Sequence, residues 1–193
     1  MAADTAHKLV TYKDILDLPE TLVGEIIHGA LYTQPRPRPR HAMANTFLGS
    51  KLVSAFGDLG GSGHGPGGWV ILVEPELHRD GNVLVPDIAG WRTENWVMPE
   101  TAYFERAPDW VGEVLSPSTA QKDRVLKSQI YLDWGVSHMW LLDPEARYLE
   151  AFSASAKAAE SAWTRIGAVK ENDEVALAPF DAVPFKLGTL WPD

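Results

Sequence analysis

Residues 110–144 read WVGEVLSPSTAQKDRVLKSQIYLDWGVSHMWLLDP, two apolar runs separated by a helical pattern. The first run, residues 110–115, predicts a short buried strand interrupted by one acid, Glu113. Residues from about Thr119 to Trp134 predict a helix, and Ser118 with Gln121 has the spacing of a capping box. The second run, residues 138–143, predicts another buried strand. This order of strand, helix and strand is typical of an α/β domain.

The rest of the chain supplies further helices and strands. Apolar residues recur at helical spacing in residues 9–18 and 41–59, which predicts a short and a longer amphipathic helix. Residues 22–33 predict a hairpin or strand pair around His28-Gly29. Further strand patterns lie at residues 69–77, 83–91, 147–152 and 161–169. The order of elements predicts an α/β fold with a mixed β-sheet flanked by helices.

The length of 193 residues favours one compact domain over residues 1–193. We expect its core at about 10–155 and a strand-rich extension at 156–193. Charged and other polar residues are interspersed after residue 150, which suggests a sheet edge or an exposed position for this extension.

Composition excludes several classes of protein. No apolar run approaches the roughly 18 residues that cross a bilayer, and the first residues lack the pattern of a secretory signal, so we expect a cytoplasmic protein without membrane association. The absence of cysteine excludes disulfide and thiolate chemistry, and the scattered histidines disfavour zinc. A net charge of -9 argues against a large nonspecific phosphate-binding surface. It leaves room for a small basic patch, and the run at residues 36–40 with three arginines is either such a patch or a stiff connector.

Glu113 and Asp87 are the most informative acids. Each interrupts an apolar strand pattern, and a buried acid must be paired, protonated or bound to a metal. Pro86 precedes Asp87 and suggests a sheet edge or a bulge that redirects the side chain. Two carboxylates on neighbouring strands can bind one Mg²⁺, which prefers oxygen ligands and keeps several waters. A water held by the metal is then the natural nucleophile.

Lys127 is predicted to lie level with Glu113. The strand after Glu113 continues for about 10 Å at roughly 3.3 Å per residue. The following helix returns by about 12 Å between Thr119 and Lys127 at roughly 1.5 Å per residue. The ammonium could orient the attacking water or stabilise charge on a phosphate. The alternative is an exposed ion pair between Asp123 and Lys127, which would stabilise the helix only slightly.

Other polar residues have weaker patterns. Glu25 stands between apolar neighbours and either joins the acidic cluster or faces solvent. Glu74 and Glu76 alternate with apolar residues, which favours the polar face of a strand. His41 follows the arginine run, and a cap or a packing role is favoured over catalysis.

Taken together, these residues resemble the Uma-two family, a branch of the PD-(D/E)XK nuclease superfamily with restriction-endonuclease-like members. The likeness covers roughly residues 10–155, and its most specific part runs from Glu113 to Pro144. It is carried by GEIIHG at 24–29, RH at 40–41, VPDI at 85–88, EVLSPST at 113–119, DRVLK at 123–127, Tyr131, GV at 135–136 and HMWLLDP at 138–144.

The resemblance implies a restriction-endonuclease-like core, with Asp87 and Glu113 as metal ligands and a contribution from Glu25. Leu115 stands where the superfamily pattern has lysine, and the likeness implies that Lys127 replaces that lysine. We therefore expect an endonuclease that hydrolyses DNA with Mg²⁺, or with Mn²⁺ in its place, and that acts as a monomer or a homodimer. The alternatives are a noncatalytic nucleic-acid-binding or protein-binding module with the same fold, and a metal-dependent hydrolase of another substrate.

Overall fold

The computed structural model describes residues 10–57, 65–117, 120–155 and 161–191. Its helices are α1 (Tyr12–Leu16), α2 (Pro39–Phe56), a π-helix (Lys122–Lys127) and α3 (Ser128–Asp133), with short 3-10 helices at Thr93–Asn95 and Leu187–Leu190. Its strands are β1 (Leu22–Ile27), β2 (Ala30–Pro35), β3 (Trp69–Val73), β4 (Leu77–Arg79), β5 (Asn82–Leu84), β6 (Ile88–Arg92), β7 (Trp110–Val114), β8 (His138–Asp143), β9 (Tyr148–Ala154), β10 (Trp163–Lys170), β11 (Glu174–Val175) and β12 (Phe185–Lys186).

A six-stranded mixed sheet forms the centre of the fold. Its strand order is β10-β9-β8-β7-β6-β3, beside a four-stranded sheet of order β2-β1-β5-β4 and the pair β11-β12. β7 and β8 are parallel, and the helical segment between them makes the crossover that parallel neighbours require. The other neighbours in the large sheet pair antiparallel. The predicted class, an α/β fold with a mixed sheet flanked by helices, is confirmed.

The two faces of the large sheet carry separate apolar clusters. α2 and the C-terminal residues cover one face, where Trp110 and Val114 of β7 are buried. α3 covers the other face, where Val111 and Leu115 pack with Tyr131. Glu113 lies two residues from Val111 and two from Leu115, and residues two apart in a strand point to the same face. Its carboxylate therefore lies on the face covered by the helix after β7.

Two predicted strands are each divided between the two sheets. Residues 69–77 split into β3 and β4, and residues 83–91 split into β5 and β6. Pro75 and Pro86 lie at these breaks, where a residue without a backbone N–H cannot continue the strand pairing. Asp87 therefore lies just before β6, at the point where the chain passes from the small sheet into the large one.

Turns and helix ends follow the sequence closely. The predicted hairpin at 22–33 forms from β1 and β2, and its turn residues His28 and Gly29 both have positive φ values, 50° and 78°. α2 begins at Pro39, a favoured first helical residue, rather than at His41. The predicted cap Ser118 and the first helical residue Thr119 lie outside the described residues.

The C-terminal residues divide into an edge and a buried part. β10 is an edge strand with mostly exposed side chains, as predicted for this extension. Phe180, Leu187 and Leu190 are instead buried in the core. The sequence interpretation missed these three residues because charged, polar and small residues separate them. None of the described helices is long and apolar enough to cross a membrane.

Candidate active site

Asp87 and Glu113 meet across neighbouring strands. β6 and β7 pair with Ile88 opposite Gly112, and continuing this register by one residue brings Asp87 opposite Glu113. The backbone N–H of Val114 donates to Asp87 Oδ2 at 2.8 Å. The side chain of Asp87 is thus fastened to the strand that carries Glu113, and both carboxylates line one cleft.

Glu113 is buried among polar groups inside an otherwise apolar face. Its Oε1 accepts a hydrogen bond of 2.6 Å from the Tyr131 hydroxyl and lies 2.7 Å from Lys127 Nζ. Burial raises the pKa of Glu113 to about 8, Lys127 opposes this rise, and Asp123 and Asp87 add to it. This carboxyl group therefore holds a proton more readily near neutral pH than an exposed glutamate does.

Lys127 sits at the centre of the acidic cluster. Its Nζ lies 2.7 Å from Glu113, 3.0 Å from Glu25 and 3.2 Å from the carbonyl oxygen of Val85. Burial alone would lower the pKa of Lys127, but Glu113 and Glu25 hold it well above its usual value. An ammonium has three N–H donors, and these three acceptors match them.

The predicted helix contains a π-helical segment that begins at Lys122 and ends at Lys127. Ser128 N–H bonds to the carbonyl of Asp123, five residues earlier, which is the π-helical pattern. Residues five apart point in different directions on an α-helix, about 140° apart. The wider π turn brings Lys122 and Lys127 to the same partner, Glu25.

Glu25 is a buried member of the cluster, and the solvent-facing alternative is wrong. Its side chain is 1% exposed, and it accepts a hydrogen bond of 2.9 Å from the backbone N–H of Val85. Burial raises its pKa, but Lys127 and Lys122 more than compensate and lower it overall. Lys122 also donates to Gln34 at 2.8 Å. Sequence patterning did not single out Lys122, because only the π turn directs it inward.

His41 lies in the candidate site, although the sequence pattern favoured a cap or a packing role for it. Its Nε2 lies 3.2 Å from Asp87 Oδ1, and its ring lines the cleft. Burial would lower the pKa of His41, but the hydrogen bond and charge of Asp87 raise it overall. The available signal was the Arg40-His41 pair within the motifs that carried the family resemblance.

Three further acids differ from their predicted positions. Asp123 and Lys127 do lie within 3.7 Å of each other. The prediction that this pair is exposed is wrong, because the two residues are only 3% and 1% exposed. Glu74 and Glu76 lie between β3 and β4 rather than on the polar face of one strand. Glu74 lines the cleft, and Glu76 pairs with His78 at 2.7 Å.

The cleft has a volume of about 300 Å³, and both basic and acidic residues line it. Arg36 and Arg38 belong to this lining, as does Glu145. Arg36 is fixed by hydrogen bonds of 3.2 Å to the carbonyl of Glu20, and Arg40 pairs with Glu145 at 3.2 Å. The arginine run therefore lies at the cleft and is not a connector away from it.

Comparison with known proteins shows the family of this chain. The model of the Uma2 family, described as "Putative restriction endonuclease", matches residues 12–185. The chain belongs to the Uma2 family. The resemblance seen in the sequence motifs is thereby confirmed. No functionally curated protein matches this Uma2 chain.

A solved structure shares the fold of this Uma2 chain. It is the crystal structure of "a putative nuclease belonging to DUF820" from Anabaena variabilis ATCC 29413, with a TM-score of 0.71 and 21% sequence identity. The alignment covers 94% of this chain and 97% of that one. Likeness at this identity shows the fold alone.

Leu115 stands where the sequence resemblance led us to expect lysine, and Lys127 supplies a positive charge from another element. Leu115 is 2% exposed and packs in the apolar cluster beneath α3. Lys127 approaches Glu113 from the π-helix instead. The positive charge is therefore present beside Glu113, although the residue two places after Glu113 is apolar.

Proposed function

We propose that this chain is a nuclease that hydrolyses phosphodiester bonds of DNA with a divalent metal ion. The observation that carries the proposal is the meeting of Asp87 and Glu113 in one cleft, with Lys127 held against Glu113. The description of the Uma2 family supports a nuclease-like activity.

Asp87 and Glu113 are the residues proposed to hold the metal. Their donor atoms are carboxylate oxygens, which suit Mg²⁺ and also Mn²⁺. Burial and then the neighbouring acids raise the pKa of Glu113, and these same acids favour a bound cation. Within the described residues no three His, Asp or Glu side chains form a ready-made metal cluster, so waters and phosphate oxygens would complete the shell.

A bound divalent cation would supply a water of lowered pKa and would withdraw charge from a phosphate oxygen. Around it, Tyr131 and Lys127 orient Glu113 through Oε1, and among the described residues they leave its other oxygen without a hydrogen-bond partner. Lys127 also supplies the charge that keeps Glu25 ionised. To orient a water directly, Lys127 would have to release one of its three acceptors.

The cleft suits contact with a phosphate backbone rather than a wide electrostatic grip on DNA. Arg36 and Arg38 are the arginines that line it, and the whole chain carries a charge of -9. Few phosphates would be neutralised by protein groups, so binding should depend on divalent ions.

The deciding experiment compares cleavage of labelled single-stranded and duplex DNA in Mg²⁺, Mn²⁺ and EDTA. The wild-type chain should cut DNA with metal and not with EDTA, and Asp87→Asn should not cut. Asp133→Asn is the matched control, because it makes the same change at an exposed residue outside the cleft and should retain activity. Cleavage by Asp87→Asn at the wild-type rate would overturn the proposed site.

One observation favours a second candidate, a noncatalytic nucleic-acid-binding module with the same fold. The three donors of Lys127 are already matched by protein acceptors, and Leu115 contributes only packing. Tight binding of DNA without metal, together with no cleavage under any condition, would favour this candidate over the nuclease.

A further inference from the structure

We propose that His41 is a positioning residue that fixes the carboxylate of Asp87 for cation binding. This inference rests on the metal site in the proposed function. It assigns a role to a side chain on α2, an element that belongs to none of the β-sheets.

The two oxygens of Asp87 are held by different partners. Oδ2 accepts the backbone N–H of Val114 at 2.8 Å, and Oδ1 lies 3.2 Å from His41 Nε2. An ionised carboxylate only accepts hydrogen bonds, so the ring nitrogen facing it carries the proton. Asp87 itself lies outside the strand ladder, just before β6. One bond would leave its carboxylate free to tilt, and a second bond at the other oxygen fixes its plane.

This arrangement leaves room for a cation. A carboxylate oxygen has two lone pairs, so Oδ1 can accept from His41 and still bind a metal. Outer partners that orient metal ligands typically change metal affinity by about 10-fold to 100-fold when they are removed.

Helix capping and packing do not account for the position of His41. Arg38 is the N-cap of α2, so His41 is the third helical residue and does not occupy the capping position. His41 lies on the same helix face as Ala44 and Asn45, which are buried and anchor this turn. Its imidazole nitrogen is directed at Asp87 in the cleft, which packing alone does not require.

The test measures Mn²⁺ affinity from the electron paramagnetic resonance signal of free Mn²⁺, with the melting temperature of the metal-free protein as a second measurement. His41→Leu should weaken Mn²⁺ binding by about 10-fold to 100-fold and leave the metal-free melting temperature within a few degrees of wild type. His41→Gln keeps an N–H donor of similar reach and should retain most of the affinity.

His78→Leu is the matched control. His78 Nε2 makes a comparable contact with Glu76, 2.7 Å long, outside the cleft, so this variant should bind Mn²⁺ like wild type. Wild-type Mn²⁺ affinity in His41→Leu would overturn this inference and leave the proposed metal site standing. The same holds if His41→Gln binds Mn²⁺ as weakly as His41→Leu. A wild-type chain that binds no Mn²⁺ would overturn the proposed metal site and this inference with it.

Discussion

Lys127 Nζ and Glu113 Oε1 lie 2.7 Å apart, on side chains that are each only 2% exposed. Removing the charge of Lys127 from water is costly, and such a buried charge persists only when acids and further polar groups complete its contacts. Tyr131 and Glu25 provide those groups here. The stability of the metal-free protein should therefore depend strongly on the lysine.

Lys127→Met is expected to lower the free energy of unfolding by about 3–5 kcal/mol, because it leaves buried acids without their counter-charge. Urea denaturation followed by circular dichroism measures this change. Lys13→Met breaks an exposed ion pair with Asp17 and should cost less than about 1 kcal/mol. Adding Glu113→Gln to Lys127→Met should recover part of the loss. Equal stability of the two lysine variants would contradict this account.

Stability should fall as pH rises because of Glu113. The pKa of this acid is raised from 4.5 to about 8, so the folded state binds the proton more tightly than the unfolded state. Its contribution is fully present below about pH 4.5 and is lost as pH approaches about 8. The loss for one proton cannot exceed about 1.4 kcal/mol per pH unit.

Glu113→Gln should remove this contribution, so that its free energy of unfolding falls less steeply between about pH 5 and 8 than that of wild type. The raised pKa of His41 acts in the same direction, and the difference between wild type and variant isolates Glu113. Glu94→Gln changes an exposed acid and should follow the wild-type curve. Parallel curves for Glu113→Gln and wild type would show that another group titrates.

Arg38→Gln should weaken DNA binding and lower its salt dependence. Arg38 is exposed and lines the cleft, so we expect it to neutralise one phosphate. Loss of one such contact reduces the slope of log K against log salt by about 1. Fluorescence anisotropy in the Asp87→Asn background measures binding without cleavage. Arg79→Gln, on β4 and outside the cleft, should leave the slope unchanged. An unchanged slope for Arg38→Gln would remove this residue from the binding surface.

Sequence was sufficient where local pattern and burial determine position. Glu113 could be recognised because a lone acid in an apolar strand requires a partner. Lys127 was placed correctly because the crossover between parallel strands fixes how far the helix returns. The register of β6 and β7 then brings in Asp87, as its place in an apolar run suggested.

Contacts between distant segments could not be predicted in the same way. The approach of His41 to Asp87 depends on how α2 lies across the end of the sheet, which no local pattern specifies. The inward direction of Lys122 depends on one π turn, and helical periodicity assumes an α-helix. The passage of Val85 to Asp87 between sheets was hidden because β5 and β6 together look like one continuous strand.

Phe180 links the C-terminal residues to the geometry of the cleft, although these residues do not line it. Its ring packs against Trp110 at 5.0 Å between centroids, on the face of β7 opposite Glu113. β7 therefore lies between the ring of Phe180 on one side and the acidic cluster on the other. A shift of this ring would displace the strand and, with it, the carboxylate of Glu113. Phe180 thus supports the cleft from the far side of the sheet.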